Sequence, residues 1–213
     1  MYNKYFKHEK GITGLETAII LIAFVVVAAV FAYTALSAGL FSTQKAQEAV
    51  YSGLKEAQST LELKGGIIAT ANTTGADGNI KQLTFTVTNV LGGEPIDFTV
   101  PDANTTPTGL ASGTKNKVVI SYVDQNQEVD NLYWTITKLG ADNGDSLLDP
   151  GEKFQITIGG NSSTEGAGNL INALFPYLGI NKTFSIVIMT PAGAVVTIER
   201  TTPASIDTIM NLR

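Results

Sequence analysis

The sequence contains no cysteine. Disulfides, thiolate nucleophiles and cysteine–zinc sites are therefore excluded together. It has a single histidine, His8, close to the start of the chain. Beyond it no imidazole is available, so most nucleophile–base pairs and most transition-metal sites lack a component. Carboxylate chemistry alone stays open, and the chain does not read as an enzyme. Charge is also scarce, at 15% of residues against the usual quarter. The net charge is −5. Three of the basic residues, Lys4, Lys7 and Lys10, stand among the first eleven residues against one acid, Glu9, so the rest of the chain is markedly acidic. No cluster of lysine and arginine exists, and this excludes a nucleic-acid partner. Proline is absent before Pro95, so nothing of that kind interrupts a helix in the first part of the chain.

What the chain does have is one long apolar run. From Thr17 to Gln44 there is no charged residue. About 20 apolar residues suffice to cross the hydrocarbon core of a bilayer, so this segment qualifies as a membrane helix. The order of its parts differs from a secretory signal, in which cleavage follows a short apolar stretch. Here a basic leader, residues 1–11, ends at Lys10-Gly11 before the apolar run begins. A cut between Gly11 and Ile12 would leave the apolar helix on the mature chain, which is chemically sensible only if the helix has a second use. The apolar pattern then becomes one-sided, with Phe41, Ala46, Val50, Leu54, Ala57 and Leu61 at steps of three to five residues. Residues 12–63 are expected to form one rod of roughly 75 Å at 1.5 Å per residue. Such a rod needs neighbours: lipid first, then copies of itself.

Lys10-Gly11 followed by Ile12-Thr13-Gly14-Leu15-Glu16 resembles the class III signal of type IV pilin-like proteins. More narrowly, the Thr13-Gly14 opening, the IAFVVVAAVFAY core and the exit at Gly39, Phe41, Thr43 and Gln44 resemble the amino terminus of archaellins. The resemblance implies cleavage after Gly11 by a prepilin-type peptidase. It implies a precursor held in the cytoplasmic membrane, then a helical homopolymer, the archaellum, outside the archaeal cell. It also implies an assembly motor and membrane platform as partners. In that picture Glu16 faces the new amino group of Ile12 on a neighbouring chain, because a carboxylate in an apolar helix needs a partner. The plainer reading makes Glu16 a first-turn acid favoured by the helix dipole. A non-motility archaeal pilin or adhesion filament, and a membrane-anchored surface binding module, stand as alternative functions.

After Lys64-Gly65-Gly66 the pattern changes to alternation. Leu83, Phe85 and Val87 alternate with Thr84, Thr86 and Thr88, Leu132, Trp134 and Ile136 with Tyr133, Thr135 and Thr137, and Phe154, Ile156 and Ile158 with Gln155 and Thr157. Two further apolar faces follow at 184–188 and 194–198, and segments near 67–71, 96–100 and 117–123 add strands. Period-two runs separated by turn residues predict antiparallel sheets with one buried face. The expected fold is α+β: a long hydrophobic helix, then an antiparallel β-sandwich or barrel over residues 64–213. Residues 169–178 are expected to form a short helix.

Two further features call for chemistry. Four sequons, at Asn72, Asn104, Asn161 and Asn181, are candidate N-glycosylation sites; the first three fall in polar loops and Asn181 just precedes a strand. The segment from Asp142 to Glu152 places four carboxylates within eleven residues. Hard cations take six to eight oxygen ligands from such loops, so Asp142, Asp145 and Glu152 are expected to hold a structural Ca²⁺. No other cofactor is called for. A solvated loop with Asn-Gly and Pro-Gly turns is the alternative. Gly159-Gly160 and Gly166-Ala167-Gly168 read as turns, since no Lys-Ser/Thr pair follows to make a phosphate loop.

Overall fold

A computed structural model describes residues 9–58, 60–90, 93–113, 117–160, 164 and 166–212. Helix α1 spans Glu9–Gln58. Thirteen strands follow: β1 Leu61–Thr73, β2 Asn79–Asn89, β3 Ile96–Asp97, β4 Asp102–Ala103, β5 Ala111–Ser112, β6 Val119–Asp124, β7 Glu128–Val129, β8 Trp134–Leu139, β9 Leu147–Leu148, β10 Lys153–Ile158, β11 Thr183–Met189, β12 Val195–Thr201 and β13 Ile209–Leu212. A short helix, α2, lies at Leu170–Ala173. The chain divides into two units, Met1–Ser52 and Gly53–Arg213.

In the second unit, one sheet has five strands in the order β13-β1-β2-β10-β8, and the other has four in the order β12-β11-β6-β7. All of these pairings are antiparallel. The arrangement is sandwich-like and not a closed barrel, because β8 and β13 remain edges of the larger sheet. Register follows the apolar alternation. Phe85 pairs with Ile156, and Ile156 with Ile136, so the centre of the inward face is apolar across β2, β10 and β8. Ile186 pairs with both Tyr122 and Ile198 in the other sheet. These inward faces meet in one core, whose largest fully buried side chains include Trp134, Tyr122, Phe85, Phe98, Phe154 and Phe184. Phe98 packs edge-on against Trp134 and Phe154, each with ring centroids 5.9 Å apart. Such pairs add directional stability to the area they bury.

Three boundaries differ from the sequence expectation. The helix ends at Gln58, and residues 61–63 already belong to β1. Leu61 fits the helical spacing equally well, but it is buried at 4% exposure opposite Asn89 of β2. Cross-strand pairing of Leu63 with Val87 continues the strand, so tertiary contacts decide where local spacing is ambiguous. The segment 96–100 yields only the two-residue β3. The expected helix at 169–178 is reduced to one turn. Asn169 caps it by accepting from the Ile171 N–H and pairing with Asn172 in a capping box. Pro176 forbids its continuation, and Leu174 before it is already extended.

Candidate functional site

The chemistry of the first unit is its exposed apolar surface. Along α1 as far as Ser52 the large apolar side chains stand in the open, from Val27 at 52% exposure to Phe24 and Tyr33 at 74%. Apolar positions surround the helix instead of forming one stripe, and Gly14–Ala57 is long and apolar enough to cross a membrane. A helix apolar all round belongs in lipid or inside a larger assembly. Three of its threonines are satisfied within the helix. Thr17, Thr34 and Thr43 each donate a hydroxyl hydrogen bond to the carbonyl three residues earlier, at 2.9–3.0 Å. This removes the cost of carrying a hydroxyl into an apolar environment. Gly14, Gly39 and Gly53 have open space where a side chain would begin, so another helix could approach closely there.

Gly11 and Ile12, the expected cleavage pair, lie in the helical backbone of α1, which starts at Glu9, ahead of the expected boundary at residue 12. Residues 1–8 of the leader lie outside the described residues. Glu16 is exposed, on the same helix and just over one turn beyond Ile12.

The structure does not bring Asp142, Asp145 and Glu152 together as a ligand set. Among the described residues no three histidine, aspartate or glutamate side chains are grouped so as to hold a metal ion. Each carboxylate instead serves the loop's own backbone. Asp142 accepts from the Gly144 N–H, and Asp145 from the Leu147 N–H, both at 2.8 Å. Glu152 accepts from the N–H groups of Asn143 and Asp149 at 3.1 and 3.2 Å. Asp149 accepts from the Asn143 amide at 3.0 Å, and Lys138 lies 4.0 Å from Asp142. These are the aspartate and asparagine turns that the Asn-Gly and Pro-Gly pairs favour. The like-charge repulsion that suggests an ion is relieved here by amide donors and one lysine.

The sequons occupy different settings. Asn72 is exposed, but it lies near the end of β1 and not in a loop, because the hairpin with β2 runs on to Thr73 opposite Asn79. Its amide donates to the Asn79 side chain at 3.0 Å. Asn104 is half-buried and donates to the Thr108 hydroxyl at 3.2 Å. Asn161 lies outside the described residues. Asn181 is exposed at a turn with φ of 50°, ahead of β11. Asparagine tolerates that left-handed backbone better than most residues.

One polar cluster goes beyond the sequence reading. The Tyr122 hydroxyl donates to Asp124 at 2.8 Å. Asp124 also accepts from the N–H groups of Asn126 and Gln127 and from the Gln127 amide. Gln127 in turn donates to the Pro176 carbonyl at 2.7 Å and accepts from the Phe175 N–H at 2.9 Å. The loop after α2 is thereby clamped to the β6–β7 hairpin. Burial pushes the Asp124 carboxyl up, but the bonds from Asn126, Tyr122 and Gln127 together hold it below its ordinary value. Burial, then the bond to Asp124, pushes the Tyr122 phenol well above its usual range. The signal available in sequence was an Asp followed two and three residues later by Asn126 and Gln127, a turn pattern with no hint of its distant partner at Pro176.

The comparisons with known proteins agree with this anatomy. Residues 11–200 match the family model of archaeal-type flagellin. The chain is 41% identical over 98% of its length to Probable flagellin 1 of Archaeoglobus fulgidus, and covers 98% of that protein. It is 32% identical to Probable flagellin 1 of Aeropyrum pernix, over 95% of this chain and 96% of that one. Among solved structures it resembles the archaeal flagellum of Methanospirillum hungatei strain JF1, with a TM-score of 0.60 and 31% identity, covering 93% of this chain and 98% of that one. An exposed apolar helix, an antiparallel sandwich after it in the sequence, and a match over nearly the whole chain lead to one conclusion: this chain belongs to the archaeal-type flagellin family.

Proposed function

We propose that this flagellin works by polymerising through α1 after its leader is cut between Gly11 and Ile12. As a family member it is a structural subunit of the archaellum filament, which lies outside the cell. The observation that carries the finer reading is the exposed apolar surface of α1, which water disfavours at every turn. In the precursor that surface is stored in the cytoplasmic membrane. On assembly the helix leaves lipid and packs against identical helices, and the sandwich forms the wetted shell. The gain comes from close packing, because lipid tails are already as apolar as leucine. The exposed Ala28, Ala29, Ala32, Ala35 and Ala38 permit the close approach this requires. Glu16 pairs with the Ile12 amino group of a neighbouring chain, which offsets the penalty of an apolar setting. A prepilin-type peptidase, an assembly motor and a membrane platform are the partners this route needs. The role is structural and not catalytic. Glycans on the exposed sequons would add to the wetted shell.

Sequencing the amino terminus of subunits from purified filaments tests this reading. The expected first residue is Ile12, and Gly11→Val should leave an uncleaved, membrane-held precursor. A first residue of Met1, or one beyond Ser37, would overturn it.

A further inference from the structure

The two outward faces of the sandwich are unusually poor in charge. On the five-stranded sheet, Ile68, Thr84, Thr157 and Thr135 lie side by side across four strands. The next row places Gln155 between two further threonines. The Thr84 and Thr157 hydroxyls are 3.3 Å apart and satisfy one another. Towards one end of this face charge appears, with Lys64 beside Thr86 in the Gln155 row and Glu62 and Lys153 in the row beyond. The outward face of the four-stranded sheet is built from valine, serine, threonine and Met189. Its charge is also confined to one end, in the row where Glu199, Ser185, Val123 and Glu128 adjoin. Outward strand faces in contact with water ordinarily carry the polar and charged residues of a sheet. Here that place is taken by short or β-branched side chains, which lose little freedom when covered.

We propose that these two faces pack against each other between copies of this chain, the five-stranded sheet of one subunit on the four-stranded sheet of the next. The proposal rests on the reading that the chain polymerises, and it names a contact additional to α1. Three arguments select a second copy as the occupant. The chain is acidic overall, so identical copies approach each other most easily where acids are absent. An open polymer needs two different, complementary patches on each subunit, and the sandwich offers two. The charged ends also differ in sign: two lysines and one glutamate on one face, two glutamates on the other. Each face measures roughly 20 Å by 20 Å at strand spacings of about 4.8 Å. That is about half of the ~800 Å² per partner in a stable interface. The contact therefore stiffens a filament already held by its helices and does not form one alone.

The absence of cysteine makes the test clean. Thr137→Cys and Thr197→Cys each place a thiol at an exposed outward position, one on each sheet, and Ala141→Cys places one in an exposed loop as control. Maleimide labelling is followed in purified filaments and in detergent-dissociated full-length subunits. The expected result is labelling at least ten-fold slower in filaments at both sheet positions, with the loop position unchanged. A short bismaleimide should then link the Thr137→Cys/Thr197→Cys double variant into ladders, and neither single variant. Equal rates in both states, protection of one sheet only, or slow labelling in both states would each overturn the proposed contact while leaving polymerisation through α1 standing. Failure of the unsubstituted chain to form filaments would instead overturn the polymerisation reading.

Discussion

Asp124 ties its ionisation to the stability of the sandwich through the bonds it accepts. Its carboxylate collects hydrogen bonds from Tyr122, Asn126 and Gln127, and Gln127 passes the restraint on to Phe175 and Pro176. Its folded-state value lies below its ordinary 3.8. The contribution to stability is therefore complete above that ordinary value and is lost as pH falls through the lower, folded-state value. Asp124→Asn should flatten the acid limb of a thermal-melt profile and leave neutral pH less stable by about 0.5–1 kcal/mol. The effect is modest because the carboxylate is partly open to solvent and the amide oxygen still accepts. An acid limb identical to that of the unsubstituted chain would place its origin elsewhere. The sequons separate at this same scale. Mass spectrometry of native filaments should find glycan at the exposed Asn72 and Asn181, and less or none at the half-buried Asn104. Equal occupancy at all three would show that modification precedes folding or ignores it.

Two elements can be tested separately, α1 for assembly and the loop from Gly140 to Glu152 for ion binding. In α1, Ala29 is exposed within the charge-free run. Ala29→Lys should block filament growth and leave the melting of the sandwich unchanged, because it charges the packing surface and touches nothing in the β core. Normal filaments from that variant would remove α1 from the assembly. In the acidic loop every carboxylate is used by backbone or side-chain donors, so chelation should leave the melting midpoint of the chain where it was. A midpoint that falls in chelator and recovers with Ca²⁺ would restore the ion. These elements also show what sequence reveals. The apolar run, its lack of proline and the strict alternation around Phe85, Trp134 and Ile156 are local patterns, and the helix and central strands follow from them. The helix end was not legible, since Leu61 suits both periods until Asn89 and Val87 arrive from β2. The edge strand β13 was missed because Ile209–Leu212 is too short to alternate visibly; it exists because Leu212 closes over Ile67. The loop's carboxylates were visible and their partners were not, because backbone N–H groups leave no mark in a sequence.

At the scale of the whole molecule, one chain combines a part that water disfavours with a part that water tolerates. Among the described residues, those up to Ser52 contribute nothing to the buried core, and the remainder holds a core of its own behind charge-poor faces. On the proposed assembly route, that division leaves α1 to be covered first by lipid and then by other copies, while the sandwich keeps its own core. Under the proposed cut after Gly11, a leader placed ahead of the apolar run would leave the helix available once removed. Electron cryo-microscopy of filaments sheared from cells tests this account most directly. It predicts a core of packed α-helices, each starting at Ile12, with the antiparallel sandwiches outside. A core without residues 12–58, or chains that retain residues 1–11 in the assembled filament, would contradict it.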